Sequence, residues 1–107
     1  MASPTESLSI LQSFDQALRL ECEVAGIYLR EEGGRLTILA ETGAQLTVNH
    51  KTDHIVLKYH TSRLQRASYI MHEAEGERFS TANHPLQMDA DHAAKYLVVR
   101  LLRDEIP

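Results

Sequence analysis

The fold is decided by residues 26–60, which read GIYLREEGGRLTILAETGAQLTVNHKTDHIVLKYH. Apolar and polar residues alternate along three stretches of this segment, and a period of two is typical of strands with one buried face. Gly33-Gly34 supplies the two-residue, positive-φ loop of a tight hairpin and places Leu29 opposite Ile38. The segment therefore predicts consecutive antiparallel strands whose apolar residues share one face.

The next turn fixes the register of the third strand. A two-residue loop at residues 42–43 would split the apolar residues of the flanking strands between the two faces of the sheet. A three-residue loop at residues 42–44 pairs Ala40 with Leu46 and keeps the apolar residues together. We therefore expect the three-residue loop.

A second hairpin is expected near the end of the sheet. Residues 68–73 and 78–81 have strand character, and Glu75-Gly76 fits a two-residue loop between them. This loop would place Glu73 opposite Arg78 as a cross-strand ion pair.

Helices are expected at both ends of the chain. Apolar residues at three- and four-residue spacing predict a helix over about residues 4–20, which begins at a capping box in residues 3–6. A second helix is expected to start at Asp89 or Asp91 and to run to about Asp104. The sequence thus predicts one α+β domain, residues 1–107, in which an antiparallel β-meander of five to six strands carries both helices on one face.

Composition excludes several functional classes. The chain has 107 residues, a net charge of −4 and a single cysteine. The negative charge disfavours nucleic acid and anionic membranes as partners, and no apolar run is long enough to span a bilayer. The lone Cys22 cannot form a disulfide within the chain, which agrees with a cytoplasmic location. Its acidic neighbours Glu21 and Glu23 disfavour an activated thiolate, and no residue set indicates catalysis or a bound cofactor.

The sheet face opposite the helices is the candidate contact surface. Tyr28, Leu39, Val56 and Lys58 are expected to point outward on this face, with Tyr28 and Leu39 adjacent. Scattered apolar residues on a solvated sheet are an equally good interpretation of the same pattern. A basic stretch around the central connector, Lys58 to Arg66, also suits an acidic partner or a phosphate group.

Histidines offer a second interpretation, a metal site. His50, His54 and His60 lie on or beside neighbouring strands, and imidazoles are ligands for zinc and iron(II). The strand phase places His50 inward and the other two outward, so His54 and His60 are the candidate ligands. Solvated strand histidines remain the alternative.

The order helix, meander, helix resembles the frataxin family. The resemblance is carried by residues 36–38, 46–49, 55–57 and 66–69 together with the closing helix. The chain departs from that family because it has no tryptophan, and because the acidic ridge of the first helix and strand is reduced to Asp15, Glu21 and Glu23. Iron binding therefore does not carry over. Secretion chaperones are a comparable analogy, but the helix that they place in mid-chain is missing here.

The sequence predicts a small, non-enzymatic protein that binds another protein or a second copy of itself. Adaptor, inhibitor, immunity and chaperone-like roles are all compatible with this prediction. The alternative is a metal-binding, frataxin-like protein that uses His54 and His60.

Overall fold

The computed structural model describes residues 10–74, 78–81 and 89–107. In sequence order, one helix precedes an antiparallel sheet and a second helix follows it. In this part of the chain, the elements in order are α1 (Ile10–Ala25), β1 (Tyr28–Glu32), β2 (Arg35–Leu39), β3 (Gln45–His50), β4 (His54–His60), β5 (Arg66–Ala74), β6 (Arg78–Thr81) and α2 (Ala90–Arg103). The strands neighbour each other in sequence order, β1 to β6, and every pair is antiparallel. The predicted α+β meander is confirmed.

The hydrophobic core lies between the two helices and one face of the sheet. In α1 the buried side chains recur every fourth residue, from Ile10 and Phe14 to Leu18 and Cys22. The sheet contributes the inward residues of β2 to β5, namely Leu36, Ile38, Leu46, Val48, Ile55, Leu57, Tyr59, Tyr69 and Met71. The buried residues of α2 are Ala90, Ala93, Ala94, Leu97, Val98 and Leu101. Both helices cover the same sheet face, as the alternation predicted, and the other face is left to solvent.

Helix α1 ends later than predicted, at Ala25 instead of about residue 20. The stop is Gly26, which has a φ of +70°. Its amide donates to the carbonyl of Glu23, and the amide of Ile27 donates to the carbonyl of Cys22, which together form a Schellman motif. The helix therefore continues to the first residue that adopts the left-handed conformation easily. The expected capping box at residues 3–6 lies outside the described residues.

Helix α2 has a defined cap at each end. Asp89 is the N-cap, and its carboxylate accepts a hydrogen bond from the amide of His92 at 2.9 Å. Asp104 closes the helix in the left-handed region with a φ of 55°. Arg100 and Arg103 lie in the last turn, where they interact favourably with the helix dipole.

The register of the first hairpin is confirmed, whereas that of the second is wrong by two residues. Leu29 pairs with Ile38, as expected from the Gly33-Gly34 loop. Leu46, however, pairs with Ile38 and not with Ala40.

The cause is the position of the loop, which spans residues 41–43 and not 42–44. The amide of Ala40 donates to the carbonyl of Ala44, and the amide of Gly43 donates to the carbonyl of Ala40, each at 3.0 Å. Gly43 takes the last loop position with a φ of +98°, the conformation that a type I turn followed by a bulge requires there. A shift of two residues keeps every side chain on its expected face.

The last hairpin also differs from the prediction. Ala74 pairs with Arg78, and Glu73 pairs with Phe79, so the expected pairing of Glu73 with Arg78 is wrong. The expected loop at Glu75-Gly76 lies outside the described residues.

Candidate interaction surface

The outer face of the sheet, opposite the helices, is built from three rows of side chains that run across β1 to β5. The first row contains Tyr28, Leu39, Gln45, His60 and Arg66. The second row contains Arg30, Thr37, Thr47, Lys58 and Ser68. The third row contains Glu32, Arg35, Asn49, Val56 and Ile70. We call these fifteen residues the outer face.

Apolar side chains form two pairs at diagonally opposite corners of the outer face, and all of them are exposed except Val56, which is partly buried. Tyr28 and Leu39 are direct cross-strand partners and are 61% and 44% exposed. Val56 is the direct partner of Ile70, which is 51% exposed. The expected adjacency of Tyr28 and Leu39 is thus observed, and Val56 lies at the other corner. Sequence reasoning missed Ile70, although it alternates with the buried Tyr69 and Met71 along β5.

The outer face is cationic, whereas the chain as a whole is acidic. Its fully charged residues are the cations Arg30, Arg35, Lys58 and Arg66 and the single anion Glu32. Glu32 lies 3.9 Å from the Arg30 guanidinium. The local excess of positive charge contrasts with the net charge of −4 for the whole sequence. The face therefore presents a positive potential to an approaching partner.

Much of the positive charge lies at one corner, where Lys58, His60 and Arg66 surround a shallow depression of about 530 Å³. The hydroxyl residues Thr47 and Ser68 complete its outer-face lining. The Nδ1 atom of His60 lies 3.2 Å from the carbonyl oxygen of Thr61. Because a carbonyl only accepts, Nδ1 carries the proton and Nε2 is the ring nitrogen left for a ligand. We call Thr47, Lys58, His60, Arg66 and Ser68 the cationic corner.

The two histidines expected to bind metal lie at opposite ends of β4. His54 and His60 are six residues apart on one strand, about 20 Å at the usual rise, so one ion cannot contact both. His54 instead faces His72 on β5, with ring centroids 5.3 Å apart. Among the described residues, no group of three or more His, Cys, Asp or Glu side chains has an arrangement that could hold a metal ion.

A carboxylate next to this histidine pair fixes one of the rings. His54 donates through Nδ1 to the Asp53 carboxylate at 2.7 Å. This hydrogen bond is the main reason that the pKa of Asp53 is lowered.

A cleft of about 680 Å³ between α1 and the end of the sheet is a second candidate site. Asp15 accepts from Arg19 Nε at 2.9 Å and from His50 Nε2 at 3.1 Å. The same guanidinium donates to Glu31, and these two hydrogen bonds, led by that of Glu31, raise the pKa of Arg19. The guanidinium thus lies between the two carboxylates and pairs with both. The network ties α1 to β1 and β3, and we interpret it as a structural brace.

Sequence reasoning placed His50 on the inward side correctly but did not pair it with Asp15. The two residues are 35 positions apart, and no local pattern links a helix residue to a strand end at that separation. Cys22 is buried in the core, and this burial, with a smaller effect of Glu21, raises its thiol pKa to about 11, in agreement with the expectation that its thiolate is not activated.

Comparisons with protein-family models, with curated proteins and with solved structures gave no match to this chain. The comparisons therefore assign no family to this chain. Among the described helices, none combines the length and the apolar character needed to cross a membrane.

Proposed function

We propose that the protein is a non-enzymatic binding protein whose outer face takes an acidic segment of another protein. The observation that carries the proposal is the charge on this face, which has four full cations and one anion in a chain of net charge −4. A partner rich in Asp and Glu is attracted to this face and repelled by the rest of the molecule. The proposal covers adaptor, inhibitor, immunity and chaperone-like roles, each of which acts through such a contact.

The apolar corners supply anchor points for the same partner. Exposed aromatic and aliphatic side chains provide most of the binding energy where they enter a partner's pockets. The pair Tyr28 and Leu39 and the pair Val56 and Ile70 lie on either side of a polar centre made by Thr37 and Thr47. An extended segment that crosses the face diagonally reaches both pairs.

The size of the outer face favours a segment over a whole domain. Five strands about 4.8 Å apart and three rows about 6.8 Å apart give a footprint of roughly 500 Å². A stable interface between two domains buries about 800 Å² on each partner. The outer face therefore suits a short, transient contact.

A second copy of the chain is a poorer occupant than an acidic segment. Two outer faces in contact would bring Arg30, Lys58 and Arg66 of one copy against the same cations of the other. Like charges in an interface are unfavourable unless counter-charges separate them. The proposed location is the cytoplasm, in agreement with the lone, buried thiol of Cys22.

The test uses a fluorescein-labelled peptide of alternating Glu and Leu and a matched peptide of alternating Lys and Leu, read by fluorescence anisotropy. We expect the acidic peptide alone to bind, and we expect Lys58→Glu to weaken binding by about tenfold. Lys95→Glu is the matched control, because Lys95 is an exposed residue of α2 on the helical side. Equal losses from both substitutions, or binding of the basic peptide, would overturn the proposal.

Self-association is tested by sedimentation of the wild type beside Tyr28→Glu and Val56→Asp. A monomer that still binds the acidic peptide supports the proposal. A wild-type dimer that either substitution dissociates would show that a second copy occupies the outer face, and the proposal of an acidic partner would then be wrong.

A second candidate function, metal binding, is favoured by the facing rings of His54 and His72. Two imidazoles on neighbouring strands provide half of a tetrahedral zinc shell. Calorimetry with Zn²⁺ should then show binding that His54→Ala abolishes and that His60→Ala, at the far end of β4, leaves intact. Equal binding by all three proteins would exclude His54 as a ligand, and no binding by the wild type would exclude this function.

A further inference from the structure

We infer that the cationic corner binds a phosphoryl group, so that the acidic partner is recognised best when it carries a phosphorylated side chain. This inference rests on the proposed function and adds the chemistry of one subsite. It is based on the placement, the charge and the hydrogen-bond donors of the five outer-face residues that line the depression.

The sheet register brings these five residues into one small area. Thr47, Lys58 and Ser68 are consecutive neighbours in one row across β3, β4 and β5. His60 and Arg66 are direct partners in the adjacent row. Side chains of paired residues begin about 5 Å apart, and adjacent rows are about 7 Å apart. A single tetrahedral anion above the depression is therefore within reach of all the long side chains.

The charges at the cationic corner are not balanced within the described part of the chain. The ion pairs seen there join Arg19, Arg30 and Arg100 to carboxylates, and none involves Lys58 or Arg66. No acidic side chain lines the depression. Like charges on neighbouring positions of a sheet are unfavourable, and an anion between them removes the repulsion.

The donors match a phosphoryl group better than a carboxylate. A phosphate monoester carries a charge of about −1.5 to −2 and three acceptor oxygens at neutral pH. The Arg66 fork can bind two of these oxygens and the Lys58 ammonium the third. The hydroxyl of Ser68 adds a neutral donor beside them. A carboxylate has one charge and two oxygens, and it would leave part of this donor set unused.

The experiment compares one acidic peptide with and without phosphorylation at a central serine, at fixed ionic strength. Fluorescence anisotropy should show that the phosphopeptide binds about tenfold more tightly. Arg66→Gln should weaken both peptides, because Arg66 is one of the four cations of the outer face, but it should weaken the phosphopeptide about tenfold more and so remove this difference. Arg66→Lys, which keeps the charge but loses the fork, should retain part of the difference.

Arg30→Gln is the matched control, because Arg30 lies on β1, at the opposite edge of the outer face from Arg66 on β5. It should weaken both peptides by the same factor. If Arg30→Gln and Arg66→Gln reduce the phosphorylation effect equally, the cationic corner is not a subsite and the inference is wrong. Thermal unfolding of each variant verifies that the fold is kept.

Competition experiments distinguish a phosphorylated protein segment from a small phosphate monoester as the source of the phosphoryl group. If free phosphoserine displaces the phosphopeptide at a similar concentration, the site binds small phosphate monoesters and the inference of a phosphorylated partner is wrong. If inorganic phosphate and free phosphoserine displace the phosphopeptide only at far higher concentration, this result supports a phosphorylated partner. Tighter binding of an RNA oligonucleotide through Arg66 would contradict the inference.

The outcomes for the two proposals differ. If neither peptide binds, the proposed function fails. If both peptides bind equally and Arg66→Gln weakens them by the same factor, the acidic-segment function stands and the phosphoryl inference alone is overturned.

Discussion

Two buried tyrosines give a test in which the same substitution should act in opposite directions. The hydroxyl of Tyr59 is buried and has no hydrogen-bond partner among the described residues. The hydroxyl of Tyr69 is also buried, but it donates to the carbonyl of Pro107 at 3.1 Å. An unpaired buried polar group costs about 1–3 kcal/mol, whereas a paired one contributes about 0.5–1.5 kcal/mol. Tyr59→Phe should therefore stabilise the protein and Tyr69→Phe should destabilise it.

The expected difference between the two variants is large enough to measure easily. We expect the free energy of unfolding to rise by about 1–2 kcal/mol in Tyr59→Phe and to fall by about 1 kcal/mol in Tyr69→Phe. For a chain of this size, 1 kcal/mol shifts Tm by about 4–8 °C. Urea denaturation followed by far-UV circular dichroism gives both values under identical conditions.

Alkaline pH adds an independent check on Tyr59. Burial, with smaller effects of Asp104 and Glu105, raises the pKa of its phenol from 10.0 to about 12. Because the pKa is higher in the folded state, the neutral phenol's contribution to stability is complete below about pH 10 and is lost as pH rises toward 12. The advantage of Tyr59→Phe over the wild type should therefore grow above pH 10. A Tyr59→Phe protein that loses as much stability as Tyr69→Phe, with no growth of the difference at high pH, would refute the reasoning.

Three further predictions concern the backbone, the thiol and the brace. Gly43→Ala should lower the free energy of unfolding by about 2 kcal/mol or more, because the backbone has a positive φ and the added Cβ would lie 2.9 Å from the Cβ of Ser62. Gly26→Ala also has a positive φ but no atom within 4 Å of the added Cβ, so it should cost about 1 kcal/mol in the same urea assay. Cys22 should react with a disulfide reagent at pH 8 only as fast as the protein unfolds, and rapid labelling of native protein would contradict its burial. A double-mutant cycle of Asp15→Asn and His50→Ala should give a coupling of about 0.5–1.5 kcal/mol, and strict additivity would show that their contact is not stabilising.

The fold could be predicted because its decisive signals are local. The alternation in residues 26–60 predicts strand faces without knowledge of distant residues, and Gly33-Gly34 fixes the first hairpin. The second register was wrong because two loop positions both keep the apolar residues on one face. Only the place of the left-handed Gly43 distinguishes them, and a lone sequence does not show which loop residue takes the positive φ.

The outer face could be predicted in part. Tyr28, Leu39, Val56 and Lys58 lie on it as expected, since the strand period assigns them to one side. Their grouping could not be predicted in full, because neighbours depend on the register of every intervening strand. Ile70 was missed for that reason, since it joins Val56 only through the pairing of β4 with β5.

Net charge is a poor guide to the partner of this protein because its charges are unevenly distributed. The sequence contains 15 acidic and 11 basic side chains, and this balance disfavours nucleic acid and anionic membranes as partners. At physiological ionic strength, however, charges act over only about 8 Å. A ligand on the outer face is therefore affected mainly by Arg30, Arg35, Lys58 and Arg66, and hardly by the carboxylates on the helical side. The sign of the charge on the outer face, and not the net charge of the chain, therefore determines which ligands bind there. Binding of the acidic peptide and competition by RNA measure this directly.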